Sequence, residues 1–201
     1  MSGDPRPSPL ALTVLSLLEV EPLHPYAMQR LIRQWGKDKV VNVGQRANLY
    51  KTIRRLLDAG LITVLHTERD HQYPERTVYA LTEVGRTVRH RWLVDMLARP
   101  RREFPEFPAA LSFAMLLDPA GVAELLTQRA DELRRELAAI DEDLRAAGAI
   151  PRVAVLETEY LRALTRAEVA WVDAVVAELR SGVLSWSYEE LAEAAAPDNS
   201  G

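Results

Sequence analysis

From Pro9 onward, apolar residues recur at helical spacing and then change period. Leu10, Val14, Leu17 and Leu18 predict a first helix, with Ser8 as N-cap, Pro9 at the first position and Pro22 as the stop. Tyr26, Met28, Leu31, Ile32 and Trp35 predict a second, from Pro25 to Gly36. Leu49, Ile53, Leu56 and Leu57 mark the buried face of a third helix, which Gly60 ends. The period then shortens to two. Leu61–Thr67 and Thr77–Leu81 alternate apolar and polar residues and predict two strands, joined by the polar segment His71-Gln72-Tyr73-Pro74-Glu75-Arg76. Thr82 caps a further helix from Glu83 to about Leu97.

Pro100, Pro105 and Pro108 interrupt the pattern. Beyond them Asp118 and Pro119 start a long helix in which Val122, Leu126, Ala130, Leu133, Leu137, Ile140 and Leu144 alternate spacings of four and three. Gly148 and Pro151 break it. Leu161, Leu164, Trp171, Val172, Val175 and Leu179 predict the apolar side of a second long helix, ended by Gly182. Ser187 and Glu190 form a capping-box pattern for a last short helix. The pattern therefore predicts a mainly α protein. An N-terminal winged helix-turn-helix, three helices plus a two-stranded β-wing, precedes a C-terminal all-α dimerisation domain. The expected boundaries are a flexible arm at 1–8, the winged domain with its linker helix at 9–98, a linker at 99–108, the helical domain at 109–194 and a tail at 195–201.

A short helix followed by a β-hairpin is a standard way to place one helix in a DNA major groove with a loop beside it. At 100° per residue, the side of the third helix opposite its apolar stripe holds Ala47, Lys51, Arg54, Arg55 and Asp58, with Asn48 and Tyr50 on the flanks. Arg46 lies at its start. Arg and Lys neutralise phosphates or donate to guanine, and Asn pairs with adenine. Arg69, His71 and Arg76 make the predicted wing positive, suited to the backbone or minor groove. By itself such a helix face is an ordinary solvated surface; the hairpin that follows shifts the reading toward DNA.

Charge sharpens this division. Residues 1–102 hold 17 Lys and Arg against 10 Asp and Glu, net +7. Residues 103–201 hold 8 against 19, net −11, which returns the overall −4. The basic half is the winged half, and phosphate binding needs a local positive field rather than a positive total. The chain lacks cysteine, which excludes disulfides and thiolate metal sites and suits a reducing cytosol. No apolar run reaches the roughly 20 residues that span a bilayer, and the first residues do not resemble a signal peptide. A cytoplasmic protein without membrane contact is expected.

Several segments resemble the PadR family of transcriptional regulators. They are Leu10-Ala-Leu-Thr-Val-Leu-Ser-Leu-Leu18, Pro22-Leu23-His24-Pro25-Tyr26, Asn48-Leu49-Tyr50, Arg54-Arg55-Leu56 with Gly60-Leu61-Ile62, and, most specific, Pro74-Glu75-Arg76-Thr77-Val78-Tyr79-Ala80-Leu81-Thr82-Glu83-Val84-Gly85. Pro25 stands where many relatives carry Gly, a change that a first helical turn accepts. The resemblance implies a homodimer with helical C-terminal arms on an inverted-repeat operator of double-stranded DNA, often a repressor released by a small molecule. It places the recognition helix at roughly 45–59 and the wing at roughly 67–76. It also raises Tyr26 and Tyr50 as backbone contacts, with packing between helices as the equal alternative.

Catalytic and metal constellations are not evident. His24, His66, His71 and His90 form no i, i+4 pair, and Asp141-Glu142-Asp143 reads as a solvated helix face. No enzyme activity, metal or cofactor is expected. Aromatic residues outside the DNA-reading elements leave room for a small apolar or aromatic effector, with Trp92, Phe104 and Phe107 as candidate contacts and core packing as the favoured reading for most aromatics. A second functional class stays open: a protein-interaction module on a winged-helix scaffold without sequence-specific DNA binding.

Overall fold

The computed structural model describes residues 6–42, 46–68 and 76–187, with the side chains of Arg46, Glu68 and Arg76 outside that description. Two compact units divide the chain, Met1–Arg102 and Glu103–Gly201.

In the first unit, α1 (Pro9–Val20), α2 (Pro25–Gln34) and α3 (Arg46–Asp58) precede β1 (Ile62–Glu68), β2 (Arg76–Leu81) and α4 (Glu83–Ala98). Ser8 caps α1 through its hydroxyl, which accepts from the Ala11 N–H at 3.2 Å. His24 caps α2 in an unusual way: its Nδ1 accepts from the Ala27 N–H at 3.1 Å. A short 3₁₀ turn at Lys37–Lys39 follows α2. Val14, Leu15, Met28, Ile32, Leu49, Ile53, Leu56, Leu61, Ile62 and Val88 fill one core, so the apolar stripes read from the sequence converge.

The exit from α3 is set by backbone geometry. Gly60 has φ +68°, the left-handed region that glycine enters without a Cβ penalty. Its N–H bonds the Leu57 carbonyl at 2.9 Å and that of Leu61 bonds the Leu56 carbonyl at 3.0 Å, a Schellman ending that turns the chain into β1. The strands pair antiparallel, Ile62 opposite Leu81 and Val64 opposite Tyr79, with a bulge at Leu65. Leu23 adds a single antiparallel bridge to Tyr79, 3.0 Å in each direction, so the chain ahead of α2 is tied to the wing. Thr82 then links three elements. Its Oγ1 donates toward the Gly60 carbonyl at 2.8 Å, and it accepts from the Gly85 N–H at 3.0 Å as the cap of α4. Gly85 packs so closely that an added Cβ would stand 2.0 Å from the Leu61 carbonyl oxygen.

The second unit contains α5 (Glu106–Leu111), α6 (Pro119–Ala146) and α7 (Leu156–Ser181). Asp118 caps α6 by accepting from the Gly121 N–H at 2.8 Å. Val122, Ala123, Leu126, Ala130 and Leu133 pack against Val172, Val176 and Leu179. Arg129–Glu168, Arg134–Asp173 and Arg162–Asp141 cross-link α6 and α7. The α6 seam is thus covered by α7 of the same chain. The predicted α7 stripe is divided: Val172 and Leu179 are buried, while Leu164 and Trp171 are half exposed. Helix α5, beginning at Glu106, occupies the end of the segment expected as linker. Among the described residues no helix is long and apolar enough to cross a membrane. The predicted last helix, beyond Ser187, and the tail lie outside the described residues.

Candidate nucleic-acid interface

The third helix separates its two faces. Leu49, Ile53 and Leu56 point into the core, and Thr52 beside them is also buried. Lys51, Arg54 and Arg55 are exposed on the other side, with Ala47 and Asp58, and Asn48 is half-buried on the flank. Burial on one face fixes the rotation of the helix, and that rotation presents the cations. Tyr50 stands 56% exposed on the same helix. Arg55 also donates to the Ser8 hydroxyl at 3.3 Å.

Tyr26 is exposed in the first turn of α2, its ring parallel to that of His24 at 6.2 Å. Packing between helices therefore leaves both tyrosines accessible. Arg30 and Arg33 are exposed four and seven residues after Tyr26, so the three share one face of α2. The sequence reading passed over these two arginines, although applying the same face arithmetic to α2 finds them. Arg69 and His71 of the wing lie outside the described residues. Arg76 begins β2 opposite Glu68 in the strand register.

The three effector candidates are placed differently. Trp92 is 3% exposed inside the first core, its ring already occupied by packing. Phe104 is exposed. Phe107 meets Trp171 edge to face at 6.4 Å and lies under the Arg129 guanidinium at 4.0 Å. Phe107, Leu111 and Trp171 line a cleft of about 360 Å³ within the second unit. Trp171 also lines a second, apolar cleft of about 300 Å³, together with Met115 and Trp186. Trp171 is half exposed and Trp186 partly so, which the pairing of only two long helices allows.

A core-packed helix that presents cations beside a two-stranded wing defines the winged helix-turn-helix class. Within that class, residues 14–91 match the model of the Transcriptional regulator PadR-like family, so the first unit carries a PadR-like domain. Most of the chain has the fold of several solved regulators. Bacillus subtilis PadR in complex with operator DNA is similar with a TM-score of 0.71 at 19% identity, over 85% of this chain and 98% of that one. The same protein in complex with p-coumaric acid gives 0.69 at 19% identity, with the same coverage. The Vibrio cholerae virulence activator AphA gives 0.62 at 19% identity, over 86% of this chain and 99% of that one. No curated protein matches the chain.

Proposed function

We propose that this protein is a homodimeric, sequence-specific DNA-binding transcriptional repressor of the cytoplasm, acting on an inverted-repeat operator and released by a small apolar or aromatic effector. The observation that carries the reading is the exposed cationic face of α3, Lys51, Arg54 and Arg55, on a helix whose other face is locked into the core. Set in a major groove, Arg54 and Lys51 donate to guanine O6 and N7, Asn48 pairs with adenine, and the remaining cations neutralise phosphates. Tyr26 and Tyr50 have exposed hydroxyl-bearing rings that suit backbone contacts. Arg46 at the start of α3 and the wing residues Arg69, His71 and Arg76 complete the proposed surface. The fold shared with Bacillus subtilis PadR, solved with operator DNA, supports this role.

Support for the dimer comes from a face of α7 that α6 leaves uncovered. Leu156, Tyr160, Leu164 and Trp171 lie within about 80° of one another around α7 by helical rotation, and all four are exposed in the single chain. A second copy covers such a stripe, and two-fold symmetry of the protein imposes two-fold symmetry on the operator. The effector part rests on the cleft lined by Phe107 and Trp171 and on the p-coumaric acid complex of the Bacillus subtilis protein.

The test is binding of the full chain to a random 30-base-pair duplex and to duplexes enriched from a random pool by repeated selection with the same protein. Selected DNA is expected to bind at least about 1,000-fold more tightly than random DNA, the low end for specific readers. Affinity should fall with salt at a log–log slope near −0.9 per neutralised phosphate. A flat salt response, or no enrichment, contradicts the reading.

A further inference from the structure

We infer that the segment ahead of α1, Arg6 to Ser8, is a further DNA-contacting element that both adds a phosphate contact and positions Arg55 of α3. This rests on the DNA-binding reading, and the segment itself precedes residues 14–91 matched by the family model.

The Ser8 hydroxyl oxygen has two lone pairs. One accepts from the Ala11 N–H at 3.2 Å, which caps α1. The other can accept from the Arg55 Nη2, 3.3 Å away and 47 residues later in the chain. The guanidinium of Arg55 is therefore tethered at one corner, and its remaining N–H groups are directed by that tether. Both acceptor positions being engaged, the hydroxyl hydrogen is the part of Ser8 that can donate outward, to a phosphate oxygen.

The chemistry of the preceding residues keeps Arg6 near this point. Arg6 and Ser8 each precede a proline, which disfavours the helical region and selects extended backbone. Ser8 has that geometry, with φ −144° and ψ 152°. Pro7 and Pro9 fix two further φ angles. The segment is thus a stiff extended lead rather than a free chain. Two residues span at most about 7 Å, so the Arg6 backbone stays beside the Ser8–Arg55 contact, and its side chain is exposed. A cation held there adds to the field of Lys51, Arg54 and Arg55 and meets the same stretch of phosphate backbone. A stiff lead loses less conformational freedom on binding than a flexible one.

The experiment uses the full chain and five variants, titrated against the random and selected duplexes at several salt concentrations. Arg6→Ala should weaken both duplexes by similar factors, about 3- to 10-fold, and make the log–log salt slope shallower by about 0.9. Ser8→Asp keeps a good helix cap but offers a carboxylate to Arg55 and to the phosphate, so it should fold as the parent does while losing roughly tenfold or more in affinity for the selected duplex, the scale of one lost charge-assisted contact. Arg55→Ala and the double variant with Ser8→Asp should be non-additive. Ser8→Thr keeps hydroxyl and cap and should bind as the parent does. Circular dichroism and melting temperature verify folding. If Arg6→Ala leaves the slope unchanged, or Ser8→Asp binds the selected duplex as the parent does, the inference is wrong while DNA binding stands. If the parent itself binds neither duplex, the DNA-binding reading fails and takes this inference with it.

Discussion

The two units solve opposite problems with similar helices. In the first, α1, α2, α3 and α4 enclose a common core, and the surface left over on α3 is cationic. In the second, α6 and α7 have mainly each other, and the surface left over on α7 is an apolar stripe at Leu156, Tyr160, Leu164 and Trp171. A helix buried on two sides can spend its third side on polar chemistry. A helix in a two-helix hairpin buries one face and exposes whatever apolar residues lie beyond it. The first unit therefore leaves a cationic surface on α3 and the second an apolar one on α7. The charge division, +7 against −11, follows the same line.

That contrast can be broken most severely at Gly85. An added Cβ there would lie 2.0 Å from the Leu61 carbonyl and 2.7 Å from Leu81 Cδ1. Backbone must move to admit it, so Gly85→Ala should cost about 3 kcal/mol, the upper part of the usual overpacking range. Urea unfolding of the full chain, followed by far-UV circular dichroism, checks this. An unchanged midpoint would mean that the close approach of α4 to β1 is not a constraint.

Leu164→Glu probes the other unit. Half exposed in the single chain, the position should tolerate the change in the monomer but bury an unpaired charge in a dimer. A loss of about 2 kcal/mol in association, near 30-fold in Kd, is the expected size for a central interface residue. Light scattering across a dilution series measures it. A parent chain that is already monomeric at micromolar concentration removes the assigned dimer face.

Smaller effects follow at the junctions. Thr82→Ala deletes the cap of α4 and the bond to Gly60 and should cost about 1 kcal/mol, again read from the urea midpoint. Glu159→Gln should have the smallest effect. Arg152 donates to both carboxylate oxygens of Glu159, at 3.0 and 2.9 Å, and holds this carboxyl below its ordinary value of 4.5. A lowered carboxyl contributes stability above its unfolded pKa and loses it as pH falls through its folded pKa. The pair is solvent-exposed, so its worth is small. Melting temperature against pH should therefore fall slightly more for the parent than for Glu159→Gln below about pH 4.5. Parallel curves would contradict the sign.

The sequence made the first unit readable because its signals are local and redundant. Three helices with apolar stripes, Pro9 and Pro25 at helix starts, Gly60 at an end and Thr82 as a cap each mark one boundary, and the observed bounds lie within a residue or two of those marks. The cationic face of α3 was legible for the same reason: burying Leu49, Ile53 and Leu56 leaves one rotation. What stayed hidden is non-local or short. The Leu23–Tyr79 bridge depends on one residue pair, and the Ser8–Arg55 bond joins positions 47 residues apart. His24 is not among the usual capping residues. Helix α5 is too short to show a period. In the second unit the pattern named apolar residues on α7 but not which of them α6 would cover. Periodicity identifies a face; the number of partners determines how much of it is buried.

The central claim is that α3 reads base edges while the wing holds the backbone. Its most direct test is titration of Lys51→Ala, Arg54→Ala and Arg76→Ala against selected and scrambled duplexes, with circular dichroism as the folding control. Each helix variant should lose about 1–3 kcal/mol on the selected duplex and much less on the scrambled one, narrowing discrimination. Arg76→Ala should weaken both by similar factors. Folded helix variants that keep the parent affinity and discrimination would show that α3 is not the reading element.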